Sequence, residues 1–447
     1  MRTPAVILCL WASVLGAAPV SFKSDIAPLL RTRCESCHGA GEAKGDYRVD
    51  SFAELMRGLE GEPARVLAGK PGESIFFKLL KTDDADERMP QKSEPLSAKQ
   101  VALIQRWIAE GAKFDGSDPK APLVQVIPAR QHAAAPKSYP RPLPVTALAF
   151  SPDGKQLAVS GLREVTLWDV DGGKLSRRIA NMAQRTFALA WQGDTIFAGG
   201  GIPGELGEVR AFDAKKGALR GVIHQAGDLV MDAQLDVNGT MLAVADADNR
   251  ITIFNTADLS QRLQIDNHSD WVMAVAFSAD NRHLASASRD RTAKIFELKS
   301  GLAISTYGGH GAGVQGVAFR ADGKQVFSSG RDKKIHVWKA GLADIEGKRF
   351  GAEKISEIAG FGREVFKITL ANGMLFTPGA DGHARQHAAA DRKLIREYDG
   401  GGDWTLSLAH HAKTGRLAVG GYSGTVRVFD TKDGRLLRQF VASPAGE

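Results

Sequence analysis

The sequence is poor in cysteine and has no long apolar run. Its 447 residues include three cysteines, at positions 9, 34 and 37, and the first lies within an apolar N-terminal stretch. Two further cysteines in so large a chain do not make a disulfide framework. The longest apolar run is well short of the roughly 18 residues that cross a bilayer, so no membrane span is predicted.

The composition predicts a globular protein of several domains. Hydrophobic residues make up 43% and charged residues 24%, which is typical of folded chains. A length of 447 residues exceeds one compact core and favours two or three domains. The 49 glycines indicate many tight turns.

The N-terminus has the pattern of a signal peptide. Arg2 supplies a positive charge, Val6–Leu15 an apolar segment, and Gly16–Ala18 a small-residue cleavage region. A membrane anchor is less favoured because the apolar segment is short. Residues 1–18 are therefore predicted to be a signal peptide, and the protein is predicted to be exported to the periplasm.

The two remaining cysteines lie in a C-x-x-C-H pattern, Cys34-Glu-Ser-Cys37-His38. This spacing is typical of covalent haem attachment, because positions three apart share a helical face and the next residue supplies an imidazole for the iron. A zinc site would need four ligands, and a dithiol redox pair would need a βαβ context. We expect one covalent haem c, with Cys34 and Cys37 as thioethers and His38 as axial ligand.

A sixth ligand is expected from the same region, where Met56 and Met89 are the methionines. Met56 lies in a helical pattern, in which methionine usually fills a core. Met89 precedes Pro90 in a polar loop that the proline stiffens. Met89 is the favoured axial ligand; the alternative is a loop methionine with water or nothing at the iron.

The flanking sequence predicts a small helical domain over residues 19–116. Phe22–Arg33, Pro71–Leu80 and Val101–Ile108 have helical patterns, and Ser97 begins a capping box. The region resembles the planctomycete-type cytochrome c domain family. The matching segments are Asp25–Leu30, Cys34–His38, Gly69–Ser74, Arg88–Pro90, Leu96–Ser97 and Trp107–Ala112. The resemblance implies haem c with His38 and Met89 as axial ligands.

Residues 117–143 are rich in proline and predict a semi-rigid linker. Its reach would be roughly 70 Å if it were fully extended. Leu123–Ile127 alternates in a way that predicts an isolated strand.

The remainder, residues 144–442, repeats itself seven times. Each unit has alternating strands, a turn such as Ser151–Gly154, and an end such as Trp168-Asp169. Successive ends are separated by 44, 42, 42, 42, 48 and 43 residues. The repeat resembles the WD40 family, which implies a closed propeller of seven four-stranded blades. The predicted fold is thus a small all-α cytochrome c domain followed by an all-β seven-bladed WD40 propeller.

The match to the family's blade-stabilising set of histidine, serine, aspartate and tryptophan is incomplete. The fifth unit places Gly330 at the serine position beside His310, Asp332 and Trp338. The fourth unit places Phe296 at the tryptophan position beside His268, Ser288 and Asp290. The sixth unit, ending at Gln386-His387, is the weakest. We expect these residues to be structural rather than catalytic.

The charges are unevenly distributed, with a net of −2 over residues 19–118 and +8 over residues 119–447. Many propeller cations fall in equivalent turns, which should emerge on one face with the loop Gly199–Gly207. They are Arg163, Arg250, Arg289, Arg291, Arg331, Lys333, Lys334 and Arg385. Solvated turns are one interpretation; the other is a basic docking face for the acidic loop Asp83–Glu87 or for an acidic partner.

The leading hypothesis is an exported electron-transfer protein with one haem and a propeller that organises unidentified redox protein partners. The alternative is a periplasmic oxidoreductase whose propeller binds a substrate or a second cofactor and passes electrons to the haem. The sequence has no phosphate loop, nucleophilic triad or carboxylate pair, so an enzyme is less favoured. Export makes nucleic acid an unsuitable partner.

Overall fold

A computed structural model describes residues 18–39, 43–59, 63–91, 94–341 and 352–443. The predicted signal peptide lies outside these ranges except for its last residue. No helix within them is long and apolar enough to cross a membrane.

The chain divides into two compact units. One contains the chain up to Cys34 together with Gly45–Ile127, and the other contains Glu35–Lys44 together with the chain from Pro128 onward. The junction after Ile127 lies inside the segment predicted as a linker.

The N-terminal region is helical, as predicted, and begins with a π-helical turn at Phe22–Ile26. Its helices are α1 (Ala27–Arg33), α2 (Glu35–His38), α3 (Phe52–Met56), α4 (Ile75–Lys81), α5 (Ala98–Ala109) and α6 (Leu123–Val126). Ser97 caps α5 through the predicted capping box, in which Gln100 accepts from the Ser97 backbone N–H.

The helical core forms between the first turn and α5. Phe22 packs against Trp107 with ring centroids 5.7 Å apart, and both side chains are fully buried. Ile26, Leu30 and Ile104 belong to the same core. The apolar stripes on the first and last predicted helices therefore meet as expected, because each alone would leave its apolar face in water.

The predicted strand at residues 123–127 is wrong, because these residues form α6. Pro122 precedes the helix with a φ of −55°, and the Ile127 N–H donates to the Leu123 carbonyl. Leu123 is fully buried in the helical core, and its N–H donates to the Asp50 carbonyl. Five residues are too few for alternation to distinguish a strand from a helix. The burial of Leu123 in the helical core favours the helix.

The rest of the chain forms seven four-stranded antiparallel sheets, which confirms the predicted propeller. Blade one has β1 (Leu148–Phe150), β2 (Gln156–Ser160), β3 (Val165–Asp169) and β4 (Leu175–Ile179). Blade two has β5 (Arg185–Gln192), β6 (Thr195–Ile202), β7 (Leu206–Asp213) and β8 (Leu219–Ala226). Blade three has β9 (Val230–Leu235), β10 (Met241–Asp246), β11 (Arg250–Asn255) and β12 (Gln261–Asp266).

The later blades repeat this order. Blade four has β13 (Val272–Phe277), β14 (His283–Ser288), β15 (Ala293–Glu297) and β16 (Ala303–Tyr307). Blade five has β17 (Val314–Phe319), β18 (Gln325–Gly330), β19 (Ile335–Lys339) and β20 (Lys354–Ile358). Blade six has β21 (Thr369–Ala371), β22 (Met374–Pro378), β23 (His383–Ala388) and β24 (Leu394–Asp399). Blade seven has β25 (Thr405–His411), β26 (Arg416–Gly421), β27 (Thr425–Asp430) and β28 (Leu436–Val441).

The ring closes between blades one and seven without exchange of a strand, since each sheet uses four consecutive strands. The Val145 N–H donates to the Gly421 carbonyl at 3.1 Å, and Ser407 Oγ donates to the Val145 carbonyl at 2.7 Å. Trp168 stacks on Phe440 across the same junction. Closure packs the free faces of the first and last blades together, whereas an open array of blades would leave them in water.

Residues 130–139 form a strap that is attached to blades one and two. Tyr139 Oη donates to Glu164 at 2.5 Å, and the Arg178 guanidinium donates to both Glu164 and the Lys137 carbonyl. His132 Nε2 lies 2.6 Å from Glu208 in blade two. This part of the predicted linker is therefore not a spacer, because two buried carboxylates hold it against the sheets.

Candidate functional site

The cysteine segment begins where α1 ends. Cys34 terminates α1 with a φ of −129°, its N–H donating to the Leu30 carbonyl at 2.9 Å, and α2 starts at the next residue. Cys37 lies within α2, and both thiols are half-buried. Cys34 therefore ends one helical segment and Cys37 lies in the next, three residues along the chain.

The chain turns away directly after His38. A Cβ at Gly39 would lie 2.6 Å from the Glu35 carbonyl oxygen, so glycine allows the backbone to approach the helix at this point. His38 itself is half-buried and pairs with Ala43 in an isolated bridge.

The loop that carries Met89 is attached to α4. The Met89 N–H donates to the Leu79 carbonyl at 2.8 Å, and the Arg88 N–H donates to the Asp84 carbonyl at 2.9 Å. Met89 and Cys34 both pack, partly exposed, against the helical core. The structure thus brings these two predicted site residues to the same apolar core, and Met56 packs against it as well.

The helical unit offers part of what a haem c group needs, whereas Cys37 and His38 belong to the second compact unit. A porphyrin needs an apolar surface, two thiols and axial donors, and a set of half-buried apolar side chains surrounds the helical core. That set includes Leu29, Phe52, Met56, Val101, Leu103 and Phe114. The Tyr47 hydroxyl is already hydrogen-bonded, since it donates to the Leu55 carbonyl at 2.6 Å. Burial raises the pKa of this hydroxyl well above its ordinary value, so it stays uncharged.

The blades have their own buried polar sets, and the best formed is in blade five. Trp338 Nε1 donates to Ser328 Oγ at 3.1 Å, Ser328 Oγ lies 2.8 Å from His310 Nε2, and His310 Nδ1 lies 2.7 Å from Asp332. Burial opposes ionisation of Asp332, but the hydrogen bond from His310 holds the pKa of that carboxyl below its usual range. All four members of the set are therefore present in blade five.

The predicted serine positions are wrong by two residues. Ser328, not Gly330, contacts His310, and in blade four Ser286, not Ser288, lies 2.6 Å from His268 Nε2. Ser288 instead donates to the Asp270 carbonyl. Residues two apart in a strand share a face, so strand periodicity alone does not distinguish them.

Family comparisons agree with this geometry. The sequence model described as planctomycete cytochrome C matches residues 34–93, and that of the WD domain, G-beta repeat, matches residues 138–169, 260–297 and 301–339. The chain joins a planctomycete-type cytochrome c domain to a WD40 propeller.

Curated relatives resemble the WD40 part. WD repeat-containing protein SL1-17 of Schistosoma mansoni is 28% identical over 160 residues, covering 36% of this chain and 52% of the relative. Nuclear distribution protein PAC1 of Coccidioides posadasii is 29% identical over 175 residues, covering 37% of each chain. WD repeat-containing protein 1 of Mus musculus is 31% identical over 109 residues, covering 24% of this chain and 17% of the relative. This chain therefore spans about half or less of the relatives that it matches.

One face of the WD40 propeller combines aromatic and basic side chains. Blade strands are antiparallel, so the turns between second and third strands emerge at the same edge as the connections between blades. The aromatic–basic face consists of Trp271, Arg289, Arg291, Arg331, Lys333, Trp404 and Tyr422. The Arg289 guanidinium lies 4.2 Å from the Trp271 ring centroid, and the Trp404 and Tyr422 rings are 6.0 Å apart.

All four cations of this face are exposed: Arg289, Arg291, Arg331 and Lys333. Within the described ranges Arg291, Arg331 and Lys333 make no ion pair, whereas Arg289 pairs with Asp270. Sequence reasoning missed the aromatic members, although a tryptophan directly before the first strand of blades four and seven was visible as a signal.

Arg385 was wrongly predicted to lie on this face. It is a buried residue of β23, and it pairs with Asp381 at 2.8 Å and with Glu397 at 2.7 Å. The long side chain of a strand residue, unlike that of a turn residue, lies along the sheet and reaches its carboxylate partners there.

The inner strands line a central cavity of about 380 Å³. Its wall is mixed, with apolar side chains such as Leu189 and Ile368 beside polar ones such as Gln234 and Ser407. Lys367 of the segment before blade six pairs with Asp232 of blade three at 3.2 Å. The charge of Lys367 in this cavity is therefore compensated by Asp232.

Proposed function

We propose that this protein is an exported, periplasmic electron carrier that holds one covalent haem c and uses its WD40 propeller to bind redox protein partners. The observation that carries the proposal is the Cys34-x-x-Cys37-His38 pattern on the helical turns that follow α1. The matching cytochrome C family segment supports it independently. With only three cysteines in the chain, a second group of this kind has no thiols available.

In this proposal Cys34 and Cys37 attach the haem, and His38 and Met89 are its axial ligands. The haem supplies one-electron redox chemistry, and histidine–methionine ligation raises its reduction potential and leaves no open position at the iron. The Leu79 carbonyl accepts the Met89 N–H and thereby positions the thioether. The surrounding apolar side chains exclude water.

The two methionines of the helical core provide a matched test of the ligands. We expect Met89→Ala to abolish the histidine–methionine absorption spectrum and to lower the reduction potential, because a sulfur ligand favours the reduced iron. Met56→Ala, at the same core, should change neither property. Absorption spectra with redox titration measure both, and an unchanged spectrum of Met89→Ala would contradict the ligand assignment.

Covalent attachment is tested separately. After unfolding in acid and denaturant, the wild-type chain should retain the haem absorbance, and Cys34→Ala/Cys37→Ala should lose it. Release of haem from the unfolded wild-type chain would contradict thioether attachment.

The aromatic–basic face supports the role of the propeller. Exposed cations attract acidic protein surfaces, and aromatic side chains beside them add contact area. Partners co-purified with the wild-type protein should bind less tightly to the triple variant Arg291→Glu/Arg331→Glu/Lys333→Glu, with a smaller salt dependence. Lys155→Glu, in a turn at the opposite edge, is the control. Equal binding of both variants would contradict a docking role for this face.

The central cavity favours a second candidate, an oxidoreductase whose propeller binds a small molecule. Lys367, which pairs with Asp232 here, would then bind a negative group of that molecule inside a wall of mixed polarity. Native mass spectrometry should show a retained small molecule in the wild-type protein and its loss in Lys367→Met. A cavity that retains nothing in the purified protein would remove this candidate.

A further inference from the structure

We propose that blade five contains a binding site for a divalent transition-metal ion of the Zn²⁺ type, formed by His310, Asp332 and His336. One ligand atom from each residue lies within 4.8 Å of the others. Among the described residues this is the one such group of three histidine, cysteine or carboxylate side chains. It is separate from the cysteine segment and independent of the proposed haem function.

Three positions in blade five converge to form the group. His310 lies in the connection before β17, Asp332 in the turn between β18 and β19, and His336 within β19. The two imidazoles stack with centroids 4.0 Å apart and share one carboxylate. His310 Nδ1 is 2.7 Å and His336 Nε2 is 3.3 Å from Asp332 Oδ2. Two imidazoles and one carboxylate are ligands that suit Zn²⁺ and leave a position for water.

The site contains buried polar atoms that a cation would satisfy. Asp332 Oδ1 and His336 Nε2 are both buried and make no hydrogen bond, although His336 Nε2 lies 3.3 Å from Asp332 Oδ2. An unsatisfied buried polar atom costs free energy, so native structures usually provide a partner for it. A metal ion beside Asp332 would coordinate both atoms together with His310 Nδ1.

Further hydrogen bonds orient both rings. Tyr307 Oη lies 2.7 Å from His336 Nδ1, which directs Nε2 toward Asp332. Ser328 Oγ lies 2.8 Å from His310 Nε2. When His310 Nδ1 binds the ion, Nε2 carries the ring proton, and a lone pair of Ser328 Oγ accepts the hydrogen bond from it.

The equivalent position of blade four lacks the second imidazole. Lys294 of β15 corresponds to His336, and its ammonium donates to the Asn267 carbonyl. His268 and Asp290 nevertheless form the same ring–carboxylate pair there, at 2.7 Å. The ring–carboxylate pair alone is therefore a structural feature of the propeller, and His336 with Tyr307 is what distinguishes blade five.

Zn²⁺ titration by calorimetry of the full-length, haem-loaded protein tests the site. We expect His336→Gln to lose one equivalent of bound Zn²⁺, or to bind it at least about 100-fold more weakly, because one ligand is removed. Tyr307→Phe should weaken binding about 10- to 100-fold while retaining all three ligands. The matched control is His224→Gln, which removes another ring–carboxylate pair, that of His224 Nε2 with Asp246 at 3.1 Å. This variant should bind Zn²⁺ as the wild type does.

Equal Zn²⁺ stoichiometry and affinity in the wild type and His336→Gln would overturn the proposal. So would a wild type that binds no Zn²⁺ at millimolar concentration. Thermal unfolding in chelator verifies that each variant is folded, and Tyr307→Phe supplies the comparison if His336→Gln is not. Zn²⁺ bound at free Cys34 and Cys37 would persist in His336→Gln, so failure of haem attachment is distinguishable from failure of this site.

Discussion

Several histidines of the propeller are buried within the blades, and one of them is His387 of blade six. It lies opposite Leu375 in the same way that Trp338 lies opposite Val326 in blade five. Two residues further along the chain in each blade, the Ala389 N–H donates to the Gly373 carbonyl and the Ala340 N–H donates to the Lys324 carbonyl, in equivalent turns of the two blades. His387 therefore occupies the tryptophan position, one residue from where the Gln386-His387 ending predicted it.

His387 should make the propeller sensitive to mild acid. Burial lowers its pKa to about 4, against 6.5 for an exposed imidazole. The unfolded chain thus binds the proton first, so its contribution to stability is complete above pH 6.5 and is lost as the pH falls from 6.5 toward 4. We expect His387→Phe to remove about 2 kcal/mol of this loss at pH 5, which lies about 1.5 pH units below the pKa of the unfolded chain. Urea unfolding at pH 7.5 and 5 measures it; an identical decrease for wild type and variant would contradict it.

At the residue scale, the sequence was most informative where spacing carries chemistry. Cys34, Cys37 and His38 are recognisable because covalent attachment tolerates little variation in their spacing. Ser328 and Gly330 were confused because a strand places both on one face, and only the position of the His310 ring selects between them. Met89 remains a prediction that rests on its loop and on its contact with the helical core.

At the scale of elements, the strap shows what composition conceals. Prolines predicted a spacer, yet Glu164 and Glu208 are fully buried and hold the strap. Nothing in a one-dimensional pattern distinguishes a buried glutamate from a solvated one, since its partner, Arg178 or Arg210, is identified only in the fold. The strands themselves were predictable because alternation and turn residues recur seven times.

Removal of the Glu164 carboxylate should loosen the strap on blade one. Glu164→Ala leaves the Tyr139 hydroxyl without its acceptor and leaves the Arg178 guanidinium with only the Pro136 and Lys137 carbonyls, which should cost about 3 kcal/mol of unfolding free energy. Trypsin should then cleave after Lys137, which the wild type protects. Asp194→Ala, which breaks the exposed pair with Lys215, should cost less than about 1 kcal/mol and leave the cleavage rate unchanged. Equal protease resistance of both variants would argue against a structural strap.

At the scale of the whole molecule, the repeat predicted the number of blades but not how the ring is closed. A period near 42 residues is compatible with a shared strand or with seven complete sheets. The structure has complete sheets, so side chains and two hydrogen bonds at Val145 join the first blade to the last. Closure therefore depends on side-chain packing at one junction between blades. There Trp168 and Phe440 stack with ring centroids 4.8 Å apart.

This junction should be the weak point of the ring. Phe440→Ala removes the ring that covers Trp168, and we expect a loss of about 2 kcal/mol, below the range for a fully buried phenylalanine because Phe440 is partly exposed. Leu436→Ala, in the same strand but 45% exposed, is the matched control and should cost less than about 0.5 kcal/mol. Urea unfolding followed by circular dichroism measures both. Equal stability of the two variants would mean that other contacts across this junction, such as the Val145 hydrogen bonds and the Arg416–Asp171 ion pair, close the propeller without the aromatic stack.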